Sequence, residues 1–184
     1  YALAKIIGVK LCEYYNRQFN RNYFTLMPCN LYGPHDNFDL KNSHFLPALI
    51  KKIILSKING DKFVEIWGTG NPKREVMYVD DLASAIFFIV KKKVKNDKRL
   101  LSLLKKTSLI KVGSGKEYTI KEIAKKICKI ENKNVKLKFN TDYPDGTTRK
   151  VVDIKLLKKL GWSYKVSLAK GLSKTIMWYK KNHL

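Results

Sequence analysis

The sequence predicts an α/β fold, and three observations carry that expectation. Segments with apolar residues every three or four positions alternate with short runs rich in β-branched and aromatic residues. Clusters of Gly, Pro, Asn and Asp separate them where turns are needed. No repeat of fixed period runs through the 184 residues, which excludes a solenoid or propeller.

Taken in order, Tyr1 to Phe19 is expected to be a helix, because Leu3, Ile7, Leu11 and Tyr14 line one face. Tyr23 to Met27 has the content of a buried strand, ended by Pro28, and a polar loop from Asn30 to Ser43 follows, with a turn at Gly33-Pro34. His44 to Ile58 reads as a second helix, with Pro47 tolerated in its first turn. Phe63 to Trp67 and Glu75 to Tyr78 read as strands on either side of the tight loop from Gly68 to Pro72, and Asp80 is placed to cap a helix reaching Val94. Lys95 to Ser108 is charged, lacks a strand signal and is partly amphipathic at Leu100, Leu101, Leu103 and Leu104, so it is expected to be an insertion or surface excursion. Leu109 to Val112 resumes as a strand. Thr119 and Glu122 have the spacing of a capping box opening a helix to Ile130, and Val135 to Phe139 is a further strand. Asp142 to Gly146 is a turn, Asp153 is placed to cap a short helix stopped by Gly161, and Ser167 to cap the last one.

The net charge of +23, from 38 Lys and Arg against 15 Asp and Glu, raises a nucleic-acid reading. Its distribution argues against one. Arginine, whose fork suits base and phosphate recognition, occurs only at Arg17, Arg21, Arg74, Arg99 and Arg149. The lysines fall in short groups such as Lys51-Lys52 and Lys125-Lys126, on what read as solvated helix faces. Such an excess of cations would still attract an anionic substrate. Cys12, Cys29 and Cys128 match no metal or redox spacing, and His35, His44 and His183 are scattered. No apolar run approaches the roughly 20 residues that span a bilayer, and no export signal opens the chain. The expectation is a cytoplasmic chain with reduced thiols, no metal, no membrane partner and no nucleic-acid partner. Because the chain opens on Tyr1 and its first methionine is Met27, it is expected to be a piece of a longer protein.

Tyr1 and Lys5 stand four residues apart, one turn along a helix face. An ammonium beside a phenol favours the phenolate and brings it nearer to useful acid–base strength, which suits proton transfer at a carbonyl oxygen. By itself this pair also fits any amphipathic helix. The stretch Pro28-Cys29-Asn30-Leu31-Tyr32-Gly33-Pro34 follows a strand, and the carboxyl ends of strands are where open α/β sheets bind ligands.

Helix, strand and turn in this sequence resemble the extended short-chain dehydrogenase/reductase family, whose Tyr-x-x-x-Lys precedes such a loop. The resemblance rests on Tyr1-Ala2-Leu3-Ala4-Lys5, Leu31 to Phe38, Asn42 to Leu49, Trp67 to Gly70, Arg74-Glu75, Val79 to Ala83 and Pro144 to Thr147. It covers nearly the whole chain except Lys95 to Ser108. It implies the C-terminal portion of an NAD(P)-binding Rossmann fold, residues 1–36, followed by a smaller α/β substrate domain, mainly residues 37–184, with 78–94 packing back on the Rossmann part.

The resemblance also implies an activity: an NADPH-dependent enzyme that epimerises C3 and C5 of GDP-4-keto-6-deoxy-D-mannose and reduces its C4 ketone. Tyr1 would protonate the C4 oxygen, Lys5 would tune the tyrosine and hold the nicotinamide ribose, and His44 would be the epimerisation acid. Tyr1, Lys5, Pro28, Cys29, Asn30, Leu31 and His44 would contact NADP(H). Lys52, Trp67, Arg74 and Asp145 would bind the GDP-sugar, and the helix carrying Tyr1 and Lys5 would form a homodimer. Nothing in the chain corresponds to the family's glycine-rich nucleotide motif, to its catalytic serine or to the cysteine base, so the segment alone is expected to be inactive. The alternatives are another nucleotide-sugar epimerase or dehydratase, or a catalytically dead remnant acting as a binding module.

Overall fold

A computed structural model describes residues 1–132 and 134–184, leaving aside the side chains of residues 94, 105 and 106. The fold is mixed α/β and divides into two compact units.

The first unit takes in Tyr1–Cys29, Asp80–Gly115 and Val152–Lys165. It opens with helix α1 (Ala2–Phe19), where the sequence periodicity places it, ended by Asn20 in the left-handed conformation. Strand β1 (Thr25–Pro28) belongs to this unit and pairs in parallel with a later strand, β5 (Leu109–Val112). The amide of Cys29 prolongs the ladder by donating to the Val112 carbonyl at 2.9 Å.

The second unit takes in Asn30–Val79, Lys116–Val151 and Val166–Leu184. Its first element is β2 (Asn30–Tyr32), in the stretch that the turn signals around it mark as loop. Pairing overrides those signals, because Asn30, Leu31 and Tyr32 lie in parallel register with Val76, Met77 and Tyr78. Helix α2 (Phe45–Ile58) and strand β3 (Phe63–Trp67) stand as expected, and β4 begins two residues before its expected start (Lys73–Tyr78).

Helix α3 (Val79–Val94) is also in place, but Asp80 is not its cap. Asp80 and Asp81 both lie in the first turn, where carboxylates suit the positive end of the helix. Buried Asp81 accepts from the Lys165 amide at 2.8 Å, and the Trp162 indole donates to Ser84 at 3.0 Å, so this turn holds the segment after Gly161.

The stretch after α3 is not a surface excursion. It forms helix α4 (Lys98–Lys106), whose cap Asp97 accepts from the Leu100 amide at 3.0 Å and pairs with Lys92 at 2.6 Å. Leu100 and Leu104, one turn apart, are buried in the first unit with Ile89, Ile110, Val112 and Leu157. Two inward leucines suffice to fold a short helix of otherwise charged residues.

Strand β6 (Glu117–Thr119) runs antiparallel to β4 and leads into α5 (Ile120–Ile130), opened by the expected capping box. Strand β7 (Lys136–Asn140) pairs in parallel with β3, and the two-residue β8 (Arg149–Lys150) pairs in parallel with β4. Helix α6 (Lys155–Leu160) ends at left-handed Gly161, while Asp153 serves its first turn from one residue before the cap, accepting from the Lys155 amide. Helix α7 (Leu168–His183) is capped by Ser167.

The second unit's core joins Leu46, Ile50 and Ile53 of α2, Val64 and Ile66 of β3, Ile123 and Ile127 of α5, and Leu172 and Ile176 of α7. Beside it Glu131, nearly fully buried, pairs with Lys180 at 2.6 Å and Lys57 at 3.5 Å. Two ammonium partners, one on α2 and one on α7, offset its desolvation.

Candidate functional site

The site residues expected from sequence fall in both units, and each unit holds its own cluster. In the first, Tyr1 precedes α1 and Lys5 lies one turn in, its amide donating to the Tyr1 carbonyl at 3.2 Å. The Lys5 ammonium sits 5.2 Å from the centre of the phenol ring, so helix spacing does bring phenol and ammonium side by side. Tyr1 is almost fully exposed. Pro28 stands at the carboxyl end of β1, and Cys29 is buried just beyond it.

In the second unit, Asn30 and Leu31 are strand residues, and the Asn30 amide group donates to the Glu75 carbonyl at 3.1 Å. His44 is the N-terminal cap residue of α2 by backbone geometry, yet its imidazole makes no capping hydrogen bond. The ring is thereby not committed to a structural cap.

The richest constellation lies at the carboxyl ends of the parallel pair β3 and β7. Trp67 ends β3, half exposed, opposite Asn140, which ends β7. Lys52, in the second half of α2, places its ammonium 4.7 Å from the Trp67 ring and donates to the Glu65 carbonyl at 3.4 Å. These residues border a cleft of about 260 Å³, also lined by Lys41, Ser43, Phe45 and Ile120.

Asp145 is exposed, and its carboxylate is held in place. Its two carboxylate oxygens accept from the amide and hydroxyl of Thr69, at 2.9 and 2.6 Å. Glycine is required at position 68 for this latch, since its φ is +79° and an added Cβ would lie 2.2 Å from the Asp145 carboxylate. Arg74, on β4, donates to the Lys73 and Thr147 carbonyls at 2.9 and 2.5 Å, so its guanidinium is fixed against the same turn. Lys52, Trp67, Arg74 and Asp145 are thus gathered around one loop pair, although they span 93 residues of sequence.

Two members of this cluster are given no role by the sequence. Thr69 is visible there only as a turn residue, and its bond to Asp145 crosses 76 residues. Tyr143, read only as part of the Asp142 to Gly146 turn, stacks on Trp67 with centroids 4.3 Å apart and planes 12° from parallel. Among the described residues no group of three or more His, Cys, Asp or Glu could hold a metal ion.

A cationic, aromatic cleft thus lies at the carboxyl ends of a parallel pair in one unit and a Tyr-x-x-x-Lys helix opens the other, and the chain belongs to the NAD dependent epimerase/dehydratase family, whose pattern matches residues 1–102. Within it the chain is similar to the GDP-L-fucose synthase of Escherichia coli (strain K12), at 42% identity over 182 residues, 99% of this chain and 56% of that protein. It is also 44% identical over 180 residues to the GDP-L-colitose synthase of Yersinia pseudotuberculosis, covering 97% of this chain and 55% of that one. Among solved structures, a GDP-mannoheptose C4 reductase from Campylobacter jejuni with NADP bound superposes with a TM-score of 0.81 at 32% identity, covering 97% of this chain and 59% of that one. The chain spans just over half the length of the curated relatives it matches.

Proposed function

We propose that this chain is the catalytic and substrate-binding part of an NADP(H)-dependent GDP-L-fucose synthase, which epimerises C3 and C5 of GDP-4-keto-6-deoxy-D-mannose and reduces C4. The observation that carries the reading is the 42% identity to a GDP-L-fucose synthase along 182 residues, through both units and both clusters. In this reading the first unit carries the tail of the Rossmann domain and the second is substrate-binding.

The residues present fit the cofactor, because Pro28 ends β1 of a parallel pair and Tyr1 and Lys5 set a phenol and an ammonium one turn apart. NADP(H), when bound, supplies the hydride for C4. Pro28, Cys29, Asn30, Leu31 and His44 would contact the cofactor, and Lys5 would hold the ribose.

The C4 ketone acidifies the hydrogens on both neighbouring carbons. During epimerisation each proton passes to a base that these residues do not supply, while the Tyr1 hydroxyl hydrogen-bonds the oxygen that gains charge and His44 returns a proton to the opposite face. In the reduction Tyr1 gives its proton to the C4 oxygen. Lys52 and Arg74 meet the diphosphate, with Lys52 as a point charge on a mobile stem. Trp67 offers an apolar face, and Asp145, latched to Thr69 in the loop after Trp67, completes the substrate-binding residues.

The enzyme acts as a homodimer through α1, whose apolar side is exposed, and it works in the cytoplasm. Among the described residues no helix is long and apolar enough to cross a membrane. The test is NADPH oxidation by the full-length protein with GDP-4-keto-6-deoxy-D-mannose. Tyr1→Phe is expected to lower reduction by at least about a hundredfold. His44→Ala is expected to suppress exchange of the C3 and C5 hydrogens with heavy water. Unimpaired reduction by the Tyr1 variant would overturn its assigned role.

A second reading, favoured by the 44% identity to a GDP-L-colitose synthase, is reduction of a different GDP-4-keto sugar by the same residues. Relative kcat/KM for the two keto sugars separates the readings.

A further inference from the structure

Trp67 has two faces, and each is occupied. Tyr143 lies nearly parallel to the indole with centroids 4.3 Å apart, while the Lys52 ammonium stands 4.7 Å from the ring. A ring stacked that closely leaves no room for an ammonium on the same side, so the two groups take opposite faces. The lining of the cleft agrees with this, since Lys52 and Trp67 border it and Tyr143 does not. The indole is therefore a partition, with the cleft on one side and the tyrosine on the other.

The partition needs backing. Trp67 is 51% exposed, and its strand ends at that residue, so little else fixes the plane of the ring. Tyr143 is itself held from both sides. The Asp142 amide donates to the Asn140 side chain at 3.0 Å, and Asp145 grips Thr69. A tyrosine between two such anchors is a preformed support. Immobilising a side chain before a ligand arrives lowers the entropy lost on binding.

We infer that Tyr143 is a positioning residue for nucleotide binding: by stacking behind Trp67 it holds the indole as a fixed wall, against which the base of a GDP-sugar lies once its diphosphate has drawn Lys52 away. The inference rests on the GDP-sugar reading above, and it assigns the base, not the phosphates, to the wall. Lys52 is suited to that exchange, since its present hydrogen bond, to the Glu65 carbonyl, is long at 3.4 Å.

The experiment is calorimetric titration of the full-length protein with GDP and, separately, with inorganic pyrophosphate. Tyr143→Ala and Tyr143→Leu are both expected to weaken GDP by about fivefold, the scale of one aromatic pair, and to leave pyrophosphate unchanged. Tyr143→Phe keeps the ring and is expected to bind GDP as the unaltered chain does. The leucine variant retains apolar bulk, so a misfolded turn is separated from a missing ring. Unchanged GDP affinity in both non-aromatic variants would overturn the inference and leave the GDP-sugar reading standing. Equal losses for GDP and pyrophosphate would also overturn it, since the wall would then not serve the base. If the unaltered full-length protein binds neither ligand, the GDP-sugar reading falls and the positioning role falls with it.

Discussion

Helices α1 and α5 are both legible in the sequence, α1 by its apolar spacing and α5 by its capping box, yet they lead opposite lives in the structure. Helix α1 has 18 residues and buries none of them; Leu3 is 69% exposed and Leu11 51%. Helix α5 has 11 residues and buries Ile123, Ala124, Ile127 and Cys128, with both isoleucines at 0% exposure. The difference teaches that periodicity specifies a helix and its apolar face, whereas the partner of that face is specified elsewhere. For α5 the partners are α2 and α7 of its own unit. For α1 the homodimer proposed above would supply one.

That contrast is open to test by stability. Ile127→Ala in α5 is expected to destabilise the chain by about 2–5 kcal/mol, because it removes buried methyl groups and leaves a cavity. Leu11→Ala in α1, measured by urea denaturation at low protein concentration, should stay within about 0.5 kcal/mol. Equal losses would break the comparison.

A smaller effect sharpens it. Thr119 accepts from the Glu122 amide at 3.0 Å, and Glu122 accepts in return from the Thr119 amide at 2.7 Å, whereas α1 begins with no side-chain cap. Thr119→Ala should cost about 1 kcal/mol, read in the same denaturation experiment.

The smallest effect concerns pH. Hydrogen bonds from the Thr119 amide and then its hydroxyl hold the Glu122 carboxyl below its ordinary value of 4.5. The unfolded chain therefore takes up this proton before the folded one does, and stability is lost as pH falls. The contribution is complete above the ordinary value and fades as pH drops through the folded one. Glu122→Gln should flatten the acid side of the stability curve slightly; parallel curves for the two proteins would show that the box is not titrating.

Sequence legibility follows the same division between local and distant causes. The capping box, the left-handed stop at Gly161 and the β3 strand were readable because each is set by residues close in the chain. Strand β2 was not, since Pro28 and Gly33-Pro34 flank it with turn chemistry and only its pairing with β4 makes it a strand. Strands β6 and β8 are likewise short partners of β4, and β8 has only two residues with which to announce itself. Helix α4 hid behind its charges, because Leu100 and Leu104 count only once their burial is known. In the candidate site, Tyr1 and Lys5 are neighbours by helix geometry alone. The meeting of Trp67 with Tyr143, and of Thr69 with Asp145, depends on the β3–β7 register, which no local pattern encodes.

The Asp145–Thr69 latch has a consequence for anyone who would remodel this protein. It welds two segments, one after β3 and one after β7, into a single mechanical part, with Gly68 as the fitted clearance between them. Swapping either segment alone for that of a relative would import half of a joint. Specificity transplants at this cleft should therefore move both segments together, as one cassette made of two distant pieces of gene.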